Sequence, residues 1–428
     1  MAETIESLYK KYLTCSSVST DTRTVQPGAL FVALNGPNFK GSQFAAQALE
    51  KGASYVITDD VNLPDNRCLQ VEDTLKTLQD LANYHRQQLQ IPVIGITGSN
   101  GKTTTKELIN RVLSQKYKTL YTSGNLNNHI GVPLTLLRIK PEHEIAIIEM
   151  GANHQGEIDF LCHIANPTHG VITNIGKAHL EGFGGLEGVA RGKSELYRYL
   201  AKQNGIAFVN SKNEQLMQLS SGIEKRILYP APGDFYQAEL LEETPFVVYR
   251  SDNGEKVETQ LPGRYNFENM CVAACVGKYF EVAMPQVNEA IASYSPDNNR
   301  SQLMKTGSNT ILLDAYNANP TSMTVALENF SKIAADKKIV ILGDMFEMGS
   351  ESETEHRSIG KLLAGAHFNQ VILCGKEMRF AAEESNTFNY FQTKEELLQW
   401  LKTHPIQSSY ILIKGSRGMG LEKVVDFL

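Results

Sequence analysis

Short apolar runs punctuate this chain, and each is trailed by a segment with helical spacing. "IPVIGIT" (Ile91 to Thr97) is apolar and rich in β-branched residues, the pattern of a strand buried on both faces. In the following "TTTKELINRVLSQ", Leu108, Ile109, Val112 and Leu113 fall on one helical face. The alternation recurs in three blocks. The first holds "GALFVAL", the helix-like "SQFAAQALEKG" and the strand "ASYVITDD", and closes on the amphipathic "TLQDLANYHRQQLQ". The second adds the strands "EIAIIEMG" and "HGVITNIG". The third follows the polar stretch "SYSPDNNR", suited to a linker, and carries "NTILLDAY", "KKIVILGDM", "NQVILCG" and "SYILIKG". Strands alternating with helices predict an α/β chain with parallel sheets covered on both faces. In such sheets function collects at the carboxyl ends of the strands.

Composition narrows the class. At roughly 100–200 residues per domain, 428 residues predict two to four domains. A net charge of −6 argues against a broad nucleic-acid surface. No apolar run approaches the ~18 residues of a membrane helix, and "MAETIESLYKKYL" lacks the apolar region of a signal peptide. The six cysteines show no C-x-x-C spacing, and Cys271 and Cys275 share one helical face as small core residues. A soluble, cytoplasmic protein without a disulfide frame is expected.

Candidate chemistry begins at "GITGSNGKTTTKE". A strand, a turn with Gly98 and Gly101, and a helix start together present backbone N–H groups to an anion. Ser99, Asn100 and Thr104 complete the loop, Lys102 adds a point charge, and the Thr103 hydroxyl can ligate Mg²⁺. The usual G-x-x-x-x-G-K-[ST] motif would put its first glycine at position 96, where Ile96 stands. Glu149 ends an apolar strand, as a Mg²⁺-holding acid or a solvated strand end. His179 follows another strand, as a metal ligand or a structural histidine. Lys193 falls on the apolar stripe of Leu186, Val189, Ala190, Leu196, Tyr197 and Leu200. It either snorkels outward or is buried with a depressed pKa, and a buried neutral amine can take up CO₂ as a carbamate. Asn125, Asn127 and Asn128 can bind a polar substrate or form Asx turns. Asn266 and Asn269 lead into an alanine-rich helix, where Asn266 can equally be an N-cap.

The order G-x-x-G-K-T-T, N-N-x-I-G-V-P, E-M-G, N-I-x-x-A-H, a G-K helix and N-x-x-N resembles the Mur ligases, ATP-dependent amide ligases of peptidoglycan precursor synthesis. Their phosphate loop has the same shortened form, which accounts for Ile96. "DAYNANPTSM", "ILGDMFEMGSESETEHRSIG" and "ILIKGSRGMGLEKVV" are similar to the branch that adds D-alanyl-D-alanine to UDP-N-acetylmuramoyl-tripeptide, and "STDTRTVQPGALFVALNG" to its UDP-sugar segment. The resemblance implies three α/β domains: a small UDP-sugar-binding domain (1–88), a central phosphate-loop ATPase domain with a mainly parallel sheet (89–297), and a Rossmann-like acceptor-binding domain (298–428).

It also implies roles. The loop from Gly98 to Thr104 would hold ATP, with Asn266, Asn269, Arg300 and Asp314. Thr103, Glu149, His179 and a carbamylated Lys193 would surround Mg²⁺, and Lys102, Glu149, His179 and Lys193 would be catalytic. Ser19, Asp21, Thr22 and Arg23 would face the UDP-sugar, with Asn127 and Asn128 near the peptide. Tyr316, Asn317, Asn319, Lys414, Ser416 and Arg417 would form the acceptor side. The expected reaction is phosphorylation of the tripeptide carboxylate followed by attack of the dipeptide amine, in a monomer. Rivals are a sister ligase with another acceptor, as in folylpolyglutamate synthesis, and a non-catalytic UDP-sugar-binding regulator. A GTPase-type switch lacks its N-K-x-D segment here.

Overall fold

The computed structural model describes residues 3–428. Among the described residues four sheets follow one another. β1 (Val18–Ser19), β2 (Leu30–Val32), β3 (Tyr55–Thr58) and β4 (Cys68–Gln70) make a parallel sheet in sequential order. The amphipathic segment expected after it is the helix Thr74–Gln87, begun by the Asp73 side chain accepting from Lys76 N. This helix ties the first sheet to the second: Arg86 is buried and donates to the carbonyls of Ala165 and Asn166.

The central sheet holds β5 (Val93–Thr97), β6 (Thr119–Tyr121), β7 (Ile145–Glu149), β8 (His169–Ile172), β9 (Ile206–Asn210) and β10 (Lys225–Tyr229). All pair in parallel, in the order β10-β9-β8-β5-β7-β6. β5 is buried throughout and lies between β7 and β8. The chain runs from β5 to β6 and β7 on one side, then crosses to β8 on the other. The strand order therefore reverses around β5, and the carboxyl ends of β5, β7 and β8 open a crevice of the kind that takes ligands.

The helix Lys102–Leu113 leaves β5 and packs through Leu108, Ile109 and Val112 against the helix Arg264–Tyr279, whose Met270, Cys271 and Ala274 share that core. The expected single stripe around Lys193 is two helices, Leu186–Lys193 and Glu195–Lys202, broken at Ser194. Leu186, assigned to the apolar stripe, is instead exposed. An antiparallel sheet of β11 (Glu239–Glu242), β12 (Val248–Arg250) and β13 (Lys256–Glu258) was not anticipated. Its signal was present: Asn253-Gly254 forms the β12–β13 turn, with Gly254 at φ +83°.

The polar stretch before residue 300 lies between the helix Met284–Ala292 and β14 (Gln302–Thr306), with Asn299 and Ser301 at positive φ. β14 pairs antiparallel with β15 (Asn309–Asp314). β16 (Lys338–Gly343), β17 (Gln370–Cys374), β18 (Asn389–Phe391) and β19 (Tyr410–Lys414) complete a sheet ordered β14-β15-β19-β16-β17-β18, parallel from β15 onward. All six cysteines are free, and Cys271 and Cys275 are buried. Among the described residues no helix is long and apolar enough to cross a membrane.

Candidate active site

A cleft of about 1180 Å³ opens at the carboxyl ends of β5, β7 and β15. Its wall from the central domain is the turn between β5 and the helix Lys102–Leu113. Gly98 sits at φ +140° and Gly101 at φ +79°. A Cβ on Gly98 would lie 2.0 Å from Thr173 Oγ1, and one on Gly101 2.6 Å from Asn269 Oδ1. Both positions therefore need glycine for conformation and for space. Gly101 is the N-cap and supplies no side-chain acceptor, so the first N–H groups of this helix are uncapped. Such a terminus, with its positive dipole end, favours an anion.

The loop is braced from behind. Asn174 Oδ1 accepts from Asn100 N at 3.0 Å, Thr173 Oγ1 donates to Asn100 O at 2.6 Å, and Ser99 Oγ donates to Gly176 O at 3.0 Å. Lys102 Nζ folds back to donate to Gly98 O at 2.7 Å and Ser99 O at 3.2 Å. Burial lowers its pKa to about 8; Glu149 opposes that shift and Arg300 reinforces it. An ammonium so poorly compensated gains most from an incoming phosphate.

Glu149 ends β7 buried, at 1% exposure, so the solvated strand-end reading does not hold. Thr103 Oγ1 donates to its Oε2 at 3.0 Å and Asn127 Nδ2 to its Oε1 at 2.8 Å. The Thr103 hydroxyl and the Glu149 carboxylate are hard oxygen donors lying together. They fit Mg²⁺, which takes one or two protein oxygens and completes its shell with water and phosphate. Two other expected ligands make their recorded contacts with other groups. His179, at φ +52°, turns Nδ1 to the Glu347 carboxylate of the third domain. That contact holds the Glu347 carboxyl below its ordinary pKa. Lys193 is fully buried, so the snorkelling alternative fails. Its Nζ donates to Ala152 O at 3.1 Å and lies 5.0 Å from the Phe183 ring centroid. Burial first, then the charge of Lys102, press its pKa well below that of an ordinary lysine. Among the described residues no cluster of three or more His, Cys, Asp or Glu side chains suits a metal.

The asparagines divide. Asn127 belongs to Glu149, whereas Asn128 Oδ1 accepts from Ile130 N and Gly131 N and shapes the turn before the helix Gly131–Leu136. The N-cap of the helix Arg264–Tyr279 is Gly263, so Asn266 does not cap it. Asn266 instead donates to Pro262 O at 2.8 Å and accepts from Asn269 Nδ2 at 3.2 Å. Asn269 Oδ1 in turn accepts from Thr105 Oγ1 at 3.1 Å, beside the loop.

The opposite wall comes from the third domain. Lys414, at the end of β19, is 2% exposed and pairs with Asp314 Oδ2 at 2.5 Å. Arg300 lies 3.7 Å and Arg417 4.7 Å from the Tyr316 ring centroid, on cation–π contacts. Asn317 O accepts from Lys414 Nζ at 3.3 Å. Ser416 is buried, accepting from Phe346 N, so it supports the wall from behind. Asn319 caps the helix Pro320–Ser331 and also donates to Asn100 Oδ1 at 2.7 Å, joining the third domain to the phosphate loop.

Ser19, Asp21, Thr22 and Arg23 form a self-bonded turn in the first domain, away from this cleft lining. Arg23 holds the exposed Asp21 carboxyl at about 2. Residue-by-residue reading missed Lys106, buried 3.8 Å from Glu149 Oε2. Its signal was spacing: it stands four after Lys102 and three after Thr103, on the same helical face.

Comparison with known proteins agrees with this arrangement. The family described as "Mur ligase family, catalytic domain" matches residues 14–86, "Mur ligase middle domain" residues 96–277, and "Mur ligase, glutamate ligase domain" residues 299–417. The UDP-N-acetylmuramoyl-tripeptide–D-alanyl-D-alanine ligase of Bacillus subtilis is 36% identical over 424 residues, 96% of this chain and 92% of the relative. The crystal structure of MurF from Acinetobacter baumannii superposes with a TM-score of 0.86 at 32% identity, covering 100% of this chain and 98% of that one. MurF ligase from Thermotoga maritima, solved in complex with ADP, gives a TM-score of 0.84 at 26% identity, covering 97% of each chain. Three domains in the same order, matched almost end to end, make this chain a member of the Mur ligase family.

Proposed function

We propose that this protein is the ligase that joins D-alanyl-D-alanine to UDP-N-acetylmuramoyl-tripeptide at the expense of ATP, in the cytoplasm. The observation that carries the reading is the contact of Asn319 with Asn100. It sets the third domain, which holds the proposed acceptor side, against the loop that would hold the ATP phosphates. The near full-length likeness to relatives named for this reaction supports the choice of substrates.

In this reading the uncapped helix N-terminus and Lys102 receive the β- and γ-phosphates. Asn269 and Asn266 flank the nucleotide from the central domain, and Arg300 and Asp314 from the third. Thr103 and Glu149 would hold Mg²⁺, which would supply charge neutralisation at the transferring phosphoryl group. A terminal carboxylate oxygen of the tripeptide attacks the γ-phosphorus and ADP leaves, giving an acyl phosphate. The unprotonated dipeptide amine then attacks the acyl carbon, the amide C–N bond forms, and phosphate departs with the carboxylate oxygen and takes up the proton the amine loses. Tyr316, Asn317 and Arg417 orient the acceptor, and positioning supplies much of the rate. The depressed pKa of Lys193 supports a carbamate there, since a neutral amine is the form that reacts with CO₂. The sugar–nucleotide end would extend to Ser19–Arg23.

The test is phosphate release from ATP with UDP-muramoyl-tripeptide, with and without D-Ala-D-Ala, in wild type and Lys102→Ala. Release that requires both substrates and falls by orders of magnitude in Lys102→Ala supports the reading. Equal release with another amino acid would favour a sister ligase, and none at all a binding protein.

A further inference from the structure

The helix Lys102–Leu113 carries two adjacent charges that no step above uses. Lys106 is 1% exposed, and its ammonium has two anionic neighbours at nearly equal distance, Glu149 Oε2 at 3.8 Å and Glu107 Oε1 at 3.9 Å. The Tyr121 ring closes another side, 5.6 Å from Nζ to the centroid. Glu107 faces the other way as well. It accepts from the Tyr294 hydroxyl, and from Asn298 Nδ2 through both oxygens at 3.0 and 2.9 Å. Tyr294 is buried just past the helix Met284–Ala292, and Asn298 stands in the linker before β14. A continuous set of contacts therefore runs from Thr103 and Glu149 through Lys106 and Glu107 to the linker.

Two physical facts give this set a direction. A buried ammonium left without an anion is costly. A divalent cation on Glu149 would claim that carboxylate's charge and repel Lys106, leaving Glu107 as the remaining anion. Glu107 is the same carboxylate that holds the linker. Burial disfavours the charged form of Lys106, and Glu149 and then Glu107 oppose that effect, so both carboxylates act on it.

We propose that Lys106 and Glu107 are positioning residues that couple a divalent cation at Glu149 to the linker between the central and third domains. The inference rests on the reading of Glu149 as a Mg²⁺ carboxylate. Cation binding draws Lys106 toward Glu107 and fixes the carboxylate on which Tyr294 and Asn298 hang. The linker is then ordered when the metal–nucleotide complex is in place.

Hydrogen exchange on the full chain tests this. Wild type is compared with ADP plus Mg²⁺ and with ADP plus a chelator. Mg²⁺ should slow exchange across residues 295–301 by about fivefold, the lower end of ordinary coupling between sites. In Lys106→Met that response should vanish while ADP still protects residues 98–104. Lys106→Arg should restore part of it. Glu107→Gln, near-isosteric and partly exposed, should also lose the linker response and serves if Lys106→Met does not fold. A full Mg²⁺ response in either Lys106→Met or Glu107→Gln overturns the coupling. So does a wild-type linker blind to Mg²⁺ while residues 98–104 are protected. Absence of ADP protection at 98–104 in wild type would instead overturn the nucleotide reading on which the coupling rests.

Discussion

Alanine at position 98 should disable the phosphate loop through a single methyl group. That methyl would lie 2.0 Å from Thr173 Oγ1, with Thr173 N at 3.0 Å and Asn174 N at 3.2 Å. The hydroxyl is not free to swing away, because it is buried and donates to Asn100 O at 2.6 Å. Displacing it strips the loop of one brace and leaves Asn174 Nδ2, at 3.1 Å, as the remaining side-chain donor to that carbonyl. An alanine at φ +140° adds backbone strain of about 1–3 kcal/mol. The lost buried hydrogen bond adds about 1–3 kcal/mol. Gly98→Ala should therefore destabilise the central domain by about 2–6 kcal/mol, the sum of the strain and hydrogen-bond costs. Turnover should fall by about a hundredfold or more, since a displacement near 1 Å can cost that much. Urea unfolding, calorimetric ADP binding and phosphate release measure the three effects. Thr173→Ala removes the overlap and leaves the strain. It should cost wild type about 1–3 kcal/mol, the hydrogen bond to Asn100 O, but little in the Gly98→Ala background, where that bond is already lost, a non-additivity expected of touching groups. Wild-type stability and turnover in Gly98→Ala, or equal effects of Thr173→Ala in both backgrounds, would refute the reasoning.

Three further outcomes are expected. His169 is buried against Phe208, and burial lowers its pKa from 6.5 to about 4. The unfolded chain then takes up the proton first, so stability present above pH 6.5 is lost as pH falls through about 4, by roughly 3 kcal/mol. Urea midpoints of His169→Phe should be flatter across that window, and an unchanged profile would contradict the assignment. Lys193 should give a carbamate signal in ¹³C NMR after labelled bicarbonate, and Lys193→Ala should lose most activity and recover some with acetate. A silent spectrum together with a fully active Lys193→Arg would reject the carbamate. Asn319→Ala removes a helix cap, worth about 1 kcal/mol, and the contact with Asn100. It should raise KM for ATP as well as for the dipeptide, whereas a dipeptide effect alone would confine Asn319 to the acceptor side.

What was legible in the sequence is what is local. β5, the glycine turn and the helix after it occupy one continuous stretch, so apolar run, breaker and periodicity marked them together. Glu149 was visible as an acid ending an apolar strand, but its bonds with Thr103 and Asn127 join residues far apart in sequence. Lys193 illustrates a genuine ambiguity: spacing put it on an apolar stripe, and only packing decides between snorkelling and burial. Lys106 carries no such mark because a lysine on an amphipathic helix is normally solvated, and Glu149 becomes its neighbour only after folding. The sequence leaves His179 open between a metal ligand and a structural histidine, and its carboxylate partner Glu347 arrives from another domain. Periodicity carries no information about such contacts between domains.

The central claim is that ATP drives amide formation by phosphorylating the tripeptide carboxylate in the cleft that the Asn100–Asn319 contact borders. The most direct test labels both oxygens of that carboxylate with oxygen-18 and follows the phosphate released as D-Ala-D-Ala is joined. The account predicts one labelled oxygen in each phosphate, released in step with the amide product and ADP. Amide product accompanied by unlabelled phosphate would contradict it.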